Sequence, residues 1–179
     1  MDAARSAFAK FGYQDATLER IAGEAGLSRV TLHRRGISKP LLLEWLAADG
    51  AASYRAALWP ALTGTGSGRE RLEEALRALC HVAEEHSTLL LAMRSATDEV
   101  FHDDNEEALT RTEFTEPLER LLRDGSADGS LVARDPAETA TVLFNVVGWS
   151  YLHLRSGHRW GAERASEAVI GIALSGVAT

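Results

Sequence analysis

Three hydroxyl side chains, Thr17, Ser28 and Ser38, stand where each could accept a hydrogen bond from the backbone at the start of a helix. Apolar residues at helical spacing follow Thr17, and Gly26 stands where a left-handed residue would end that helix. A second short helix is predicted from residue 29 to residue 34 or 35. A helix, a glycine-containing turn and a second helix form a helix-turn-helix, whose second helix enters the major groove of DNA.

Patterns typical of enzyme sites are missing from the sequence. We find no nucleophile elbow, no phosphate-binding loop, no paired metal-ligand motif and no cysteine–histidine pair. The segment 101–107, FHDDNEE, places a histidine beside carboxylates, but consecutive residues rarely converge on one ion, and we expect a solvated helix start there. We therefore expect no enzyme activity, no cofactor and no metal site.

Length and composition are typical of a globular protein, and the sequence contains few patterns that predict strands. The 179 residues suffice for one large domain or two small ones. No apolar run reaches the length of about 18 residues that a membrane span needs, and the first residues are too charged for a signal peptide. The single Cys80, expected as a buried hydrophobic residue on a helix, fits a reducing compartment. We expect a cytoplasmic protein.

Charge is distributed unevenly along the chain, whose net charge is −7. Residues 1–47 hold seven Lys and Arg against five Asp and Glu, a net charge of +2, so the remaining residues carry −9. A basic N-terminal part on an acidic body is typical of a DNA-binding domain joined to another domain. The charge of +2 is small for a surface that must neutralise phosphates.

The N-terminal residues match a family pattern at fixed spacing. The matching positions are Ala3, Ala4, Phe8, Gly12, Tyr13, Thr17, Ile21, Ala22, Ala25, Gly26, Leu27, Ser28, Thr31, Leu32, Ser38, Lys39, Leu42 and Leu43. This run resembles the DNA-binding domain of the TetR family of bacterial repressors. The resemblance implies an all-α fold of about nine helices, with a three-helix helix-turn-helix domain at residues 1–47 and a helical ligand-binding and dimerisation domain at residues 48–179.

The resemblance also implies which side chains contact DNA. By position, Arg29 and Val30 face base edges, where arginine can bind guanine through two hydrogen bonds and valine can pack on a thymine methyl group. The other implied contacts are with phosphates, from Thr17, Ser28, Thr31, His33 and Lys39. Leu27 is expected to pack back between the two helices of the motif.

Three positions depart from the family pattern, which usually has an aromatic residue at His33, Phe at Gly36 and an acidic residue at Pro40. A missing buried Phe side chain costs roughly 3–5 kcal/mol unless neighbours fill the space. We expect Gly36 to loosen the end of the second short helix and Ile37 to fill part of the gap. Pro40 fits the first turn of the next helix. The family usually carries a basic arm before the first helix as well, and we expect this arm to be missing or very short here.

Apolar periodicity predicts further helices. The predicted helices are 2–11, 18–25, 29–34, 39 into the 50s with a break at Gly50, 69–86, 87–96, 105–123, 137–155 and 161–177. Glycine-rich loops are expected at 63–68 and 124–130. Apolar residues cover nearly the whole circumference of the helix 137–155, which predicts burial all round. Together with the helix 161–177 it suits a four-helix bundle shared by two subunits, which is also the dimer mode of the family.

The resemblance implies a mostly apolar cavity among the body helices, and the composition there favours a hydrophobic or aromatic small molecule. The candidate lining residues are Leu79, Met93, Phe114, Phe144, Asn145 and Trp149. Each of them is equally well explained as ordinary core, and Asn145 could also hydrogen-bond locally.

Two interpretations stay open at this point. The first is a homodimeric, ligand-responsive repressor that binds a near-palindromic operator in double-stranded DNA. The alternative is a dimeric small-molecule-binding or interaction protein whose N-terminal domain no longer binds DNA.

Overall fold

The computed structural model of the chain describes residues 1–92 and 110–177, and nine helices lie within these ranges. They are α1 (Asp2–Asp15), α2 (Leu18–Glu24), α3 (Arg29–Arg34), α4 (Lys39–Thr63), α5 (Gly68–Glu85), α6 (Ser87–Ala92), α7 (Thr112–Asp128), α8 (Pro136–Ser156) and α9 (Ala162–Ser175). The predicted all-α fold is confirmed. No helix in these ranges is both long enough and apolar enough to cross a bilayer.

The described residues form two compact units. One comprises residues 1–51 with 86–92, and the other comprises residues 52–85 with 110–177. Helix α4 therefore contributes residues to both. The boundary between residues 47 and 48 stays a prediction.

The first unit is built around α1, which packs against α2 and α6. Gly12 adopts a left-handed φ of +73° and interrupts α1 where the sequence predicts its end, before a short continuation to Asp15. The Phe8 and Tyr13 rings meet edge to face on either side of this break, with centroids 5.4 Å apart. The core of the unit includes Ala4, Ala7, Phe8, Ile21, Leu32, Leu42, Leu43, Leu46 and Leu89.

The second unit packs α5, α7, α8 and α9 on one another. Its most deeply buried side chains include Leu72, Leu76, Leu118, Leu121, Leu122, Val147 and Ile170. The first turn of α5 packs very closely on α7, since a Cβ atom added at Gly68 would lie 2.2 Å from the Gly125 Cα atom. The α5 backbone can lie this close to α7 only because Gly68 has no side chain. A Cβ atom added at Gly125 would instead lie 2.4 Å from a methyl carbon of Leu131.

Two predicted loops are shorter in the structure. Helix α7 continues to Asp128 and buries Gly125, so the loop predicted at 124–130 is wrong over its first residues. The C-terminus of α7 is instead closed by Gly129 at a φ of +77°. Helix α4 runs through Gly50 without a break and holds Pro60 near its end, so the first loop begins only after Thr63.

An ion-pair network joins α5 to α8. The Tyr151 hydroxyl donates to Glu84 Oε2 at 2.9 Å, and Arg155 Nε donates to the same oxygen at 2.9 Å. Hydrogen bonds from Arg155 and Tyr151 hold the pKa of the Glu84 carboxyl below its usual value. Burial, together with the hydrogen bond to Glu84, raises the pKa of Tyr151 to about 12.

Cys80 is buried on α5 as predicted.

One face of α8 is covered by its own chain, through side chains such as Leu143, Val147 and Tyr151. Val142 and Val146, on the same helix, are 52% and 46% exposed. The single chain therefore leaves part of α8 exposed, and the burial all round that the sequence predicts would require a second subunit.

Some predictions concern residues 93–109, outside the described ranges. They are Met93 as a ligand contact, the segment 101–107, the end of the helix predicted at 87–96 and the start of the one predicted at 105–123.

Candidate functional site

Helix α2 begins and ends through local hydrogen bonds. Thr17 Oγ1 accepts from the Arg20 amide at 3.3 Å, which confirms the predicted N-cap. At the other end Gly26 has a φ of +64°, and the Leu27 amide donates to the Ala22 carbonyl at 2.9 Å. This is a Schellman closure. The Leu27 side chain is 40% exposed, so the prediction that it packs between the helices is wrong.

Helix α3 is closed in the same way. Ser28 Oγ accepts from the Thr31 amide at 3.1 Å. Gly36, at a φ of +69°, donates to the His33 carbonyl at 2.9 Å, and the Ile37 amide donates to the Leu32 carbonyl at 3.0 Å. Gly36 therefore ends α3 through a Schellman closure, and the prediction that it loosens this helix is wrong. Gly36 is exposed, and a Cβ atom added there would point into open space, so the missing ring leaves no buried cavity at this position. Ile37 packs against the core as predicted.

Helix α3 buries one side chain and exposes the others. Leu32 is buried in the core of the first unit, whereas Val30 is 75% exposed. Arg29 and His33 are exposed as well, and Thr31 is half-buried. The structure thus brings five candidate residues, Ser28 to Thr31 and His33, onto one short helix and its cap. The Arg29 guanidinium lies 2.8 Å from a carboxylate oxygen of Glu19 on α2.

Four of the five candidate phosphate contacts, Thr17, Ser28, Thr31 and Lys39, have partners within the chain. Thr17 and Ser28 cap their own helices, and Thr31 Oγ1 lies 2.9 Å from Ser28 Oγ. The Lys39 ammonium donates to the Tyr13 and Gln14 carbonyls at 2.9 and 3.2 Å. It also lies 4.4 Å from the centroid of the Tyr13 ring. Lys39 therefore holds the end of α1, which no sequence signal indicates because these residues are distant along the chain.

Three aromatic rings from three helices meet in the second unit. The Phe114 and Phe144 rings have centroids 5.4 Å apart, and Tyr54 of α4 lies 6.1 and 5.9 Å from them. Of the predicted ligand contacts, the structure brings these two Phe residues together. Leu79 is buried on α5, Trp149 is half-buried on α8, and Met93 lies outside the described residues.

Asn145 lies next to this cluster in sequence and bonds within its own unit. Its Nδ2 atom donates to Thr110 Oγ1 at 3.2 Å and to the Thr141 carbonyl at 2.9 Å. Its amide hydrogens therefore already have acceptors.

Tyr54 is the member of the cluster that sequence reasoning missed. Its side chain is 2% exposed, and its hydroxyl has no hydrogen-bond partner among the described residues. Burial raises the pKa of this hydroxyl well above its ordinary value. The available signal was its helical spacing from Leu58, which places a polar aromatic residue on the buried stripe of α4.

Two family models match the chain over most of its length. Residues 1–44 match the model of bacterial regulatory proteins of the tetR family, and residues 65–177 match the model of the tetracyclin repressor-like C-terminal domain. The chain belongs to the TetR family. It is accordingly a transcriptional regulator with a DNA-binding and a ligand-binding domain. Members of the TetR family are generally transcription factors without enzyme activity.

Solved structures of TetR-family regulators share the fold. A bacterial regulatory protein of the tetR family from Rhodococcus RHA1 is 18% identical, with a TM-score of 0.78 over 97% of this chain and 92% of that one. The TetR family regulator PfmR from Thermus thermophilus is 21% identical, with a TM-score of 0.73 over 97% of this chain and 96% of that one. The ketosteroid transcriptional regulator KstR2 of Mycobacterium tuberculosis is 18% identical, with a TM-score of 0.75 over 99% and 92%. No curated protein matches the chain.

Proposed function

We propose that this TetR-family regulator is a ligand-responsive repressor that binds a near-palindromic operator as a homodimer. The observation that supports the proposal is the division of α3 into one buried anchor residue and several exposed residues. Leu32 anchors the helix in the core, while Arg29, Val30 and His33 are presented to solvent. A short helix held in this way can enter the major groove and place a few side chains on base edges.

The proposed roles of the DNA contacts are those that the family resemblance implies. Arg29 and Val30 contact bases, and Thr17, Ser28, Thr31, His33 and Lys39 contact phosphates. Arg29 exchanges its exposed pair with Glu19 for a guanine edge, an exchange of small cost because exposed ion pairs contribute little. A lysine ammonium has three hydrogens, and Lys39 uses two of them on the carbonyls of α1, so the third is left for a phosphate.

The proposed dimer forms through α8 and α9. Val142 and Val146 of α8 are about half exposed, and Ile172 of α9 is 75% exposed. Two copies of this helix pair would complete a four-helix bundle that covers these side chains. The two-fold axis of such a dimer requires a two-fold operator.

The proposed effector is a hydrophobic or aromatic small molecule that binds the second unit, where the rings of Tyr54, Phe114 and Phe144 meet. Binding releases DNA only if the effector prefers the state that does not bind DNA. To change the ratio of the two states a hundredfold, the effector must bind one state about 2.7 kcal/mol more tightly than the other.

The direct test is selection of binding sites from a random-sequence DNA pool with purified protein at moderate salt. An enriched near-palindrome, with affinity that falls steeply as salt rises, supports the repressor. A folded, dimeric protein that enriches no sequence would contradict it and favour the alternative, a dimeric binding protein that does not recognise DNA.

Paired valine variants sharpen this test. Val30→Ala removes an exposed methyl contact on α3 and should change the preferred base pair at one position of each half-site, at a cost of roughly 1 kcal/mol. Val132→Ala trims an exposed valine of the second unit and should leave the selected sequence unchanged. Identical selected sequences for wild type and Val30→Ala would show that Val30 contacts no base.

A further inference from the structure

We propose that the effector is a neutral, mostly apolar molecule with one hydrogen-bond acceptor, and that the Tyr54 hydroxyl donates to that acceptor. This inference rests on the proposed effector site in the second unit. It adds the chemical class of the ligand and the residue that selects it.

The starting observation is a buried hydroxyl without a partner. Tyr54 and Tyr151 are both 2% exposed. The Tyr151 hydroxyl donates to Glu84 at 2.9 Å, whereas the Tyr54 hydroxyl has no partner among the described residues. Buried polar groups are nearly always satisfied, and a phenylalanine would fill the same space without an unpaired hydroxyl. A tyrosine at such a position points to a partner that arrives from outside.

The surroundings of Tyr54 define the apolar part of the partner. The rings of Phe114 and Phe144 lie against it, on α7 and α8. Aromatic rings offer flat apolar surfaces, which favour a ligand with a ring or a compact hydrocarbon frame.

The charges of the described residues favour a neutral partner over an anionic one. Burial alone raises the pKa of Tyr54, and no charged group of the described chain contributes to the change. A carboxylate placed beside this hydroxyl would be a buried charge without a cation, which is far more costly than a buried carbonyl. The ligand group that meets Tyr54 is therefore a neutral acceptor such as a ketone, an ester or an ether.

Asn145, the polar ligand contact that the sequence predicts, is less suited to this role. Both bonds of its Nδ2 atom are made to Thr110 and Thr141. A ligand would have to break one of these bonds to gain another, whereas Tyr54 gains a bond that it lacks.

The first measurement is the stability of the protein without ligand. Tyr54→Phe deletes an unsatisfied hydroxyl and should raise Tm by about 2–4 °C. Tyr151→Phe, the matched control, deletes a hydroxyl bonded to Glu84 and should lower Tm. A fall in Tm for both variants would mean that the Tyr54 hydroxyl already has a partner, and it would overturn the proposal.

The second measurement uses three small probes and calorimetric titration. Acetophenone carries a neutral acceptor, α-methylstyrene has nearly the same shape without it, and benzoate carries a charge. Tyr54→Phe should weaken acetophenone binding about tenfold and leave α-methylstyrene binding unchanged or tighter, which is the effect of losing one neutral hydrogen bond. Tyr151→Phe should leave the ratio of the two dissociation constants at its wild-type value.

Three results of the titrations would also overturn the proposal: binding of neither neutral probe, equal weakening of both by Tyr54→Phe, and tighter binding of benzoate than of acetophenone. Failure here and failure of the repressor are distinguishable. Selection of a near-palindrome without discrimination between the probes rejects only the inference about the effector. Discrimination between the probes without DNA selection rejects only the repressor.

Discussion

At the scale of single residues, Lys39 combines a structural contact with a proposed functional one. Its ammonium binds the carbonyls of Tyr13 and Gln14, where α1 ends and its carbonyls lack helical partners. A cation at this position also interacts favourably with the negative end of the helix dipole. Removal of Lys39 should therefore affect the free protein before any DNA is added.

Lys39→Met keeps most of the side-chain volume and removes both hydrogen bonds to α1. We expect the free energy of unfolding to fall by about 1–2 kcal/mol, the usual value for bonds from a charged donor that is partly exposed. Urea denaturation without DNA measures this change.

Lys10→Met is the matched control. It removes a mostly exposed ion pair with Glu24 and should change the stability by less than about 0.5 kcal/mol. Equal stability of Lys39→Met and wild type would show that the bonds to α1 contribute nothing, and would leave Lys39 only its proposed contact with DNA.

At the scale of elements, the ends of the short helices could be predicted because their signals are local. Thr17 and Ser28 each accept a hydrogen bond from an amide three residues further on. At Gly26 the chain closes α2 through two backbone hydrogen bonds. The Gly26 amide donates to the Gly23 carbonyl, and the Leu27 amide donates to the Ala22 carbonyl. The sequence contains both partners of each bond within one turn of chain, so the pattern predicts the structure directly.

Other features depend on partners that are distant in sequence. The composition of residues 124–130 favours a loop, yet α7 continues through Gly125, where Gly68 of α5 packs against the helix backbone and Leu131 occupies the space of a side chain. The left-handed closure at Gly36 differs from the prediction, because the resemblance implies a buried Phe at this position whereas the chain turns there with a positive φ. Tyr54 has a clear helical position, but whether its hydroxyl is satisfied depends on α7 and α8.

Gly68→Ala tests the contact between α5 and α7. The added Cβ atom would lie 2.2 Å from the Gly125 Cα atom, and backbone cannot yield as a flexible side chain can. We expect the helices to separate locally and the free energy of unfolding to fall by about 1–3 kcal/mol.

The control for this variant is Gly50→Ala, within α4. Its added Cβ atom would meet nothing within 4 Å, so the higher helix propensity of alanine should raise the stability by up to about 1 kcal/mol. A loss of stability at Gly50 equal to that at Gly68 would refute the packing explanation, and calorimetry of the two variants decides between them.

At the scale of the whole molecule, the exposed apolar side chains of α8 and α9 favour association of two chains. Val146 and Ile172 lie on the helices that the dimer proposal uses, and a net charge of −7 would otherwise keep copies of the chain apart. Apolar burial between the helices must therefore exceed the repulsion between two acidic subunits.

Val146→Asp places a charge on the proposed interface and should convert a dimer to a monomer at micromolar concentration, because an unpaired buried carboxylate is costly. Analytical ultracentrifugation measures the change. Val132→Asp introduces the same charge at a similarly exposed valine before α8 and should leave the dimer intact. A dimer that survives Val146→Asp would place the interface elsewhere.

The burial of Cys80 has a practical consequence for spectroscopy. It is the single cysteine of the chain, and burial raises the pKa of its thiol to about 12, so almost no thiolate is available to maleimide or methanethiosulfonate reagents at neutral pH. One cysteine introduced at Val30 would then be the only reactive thiol of each subunit. In a two-fold dimer, that single substitution yields one pair of spin labels, and the distance between them reports the separation of the two α3 helices with and without effector.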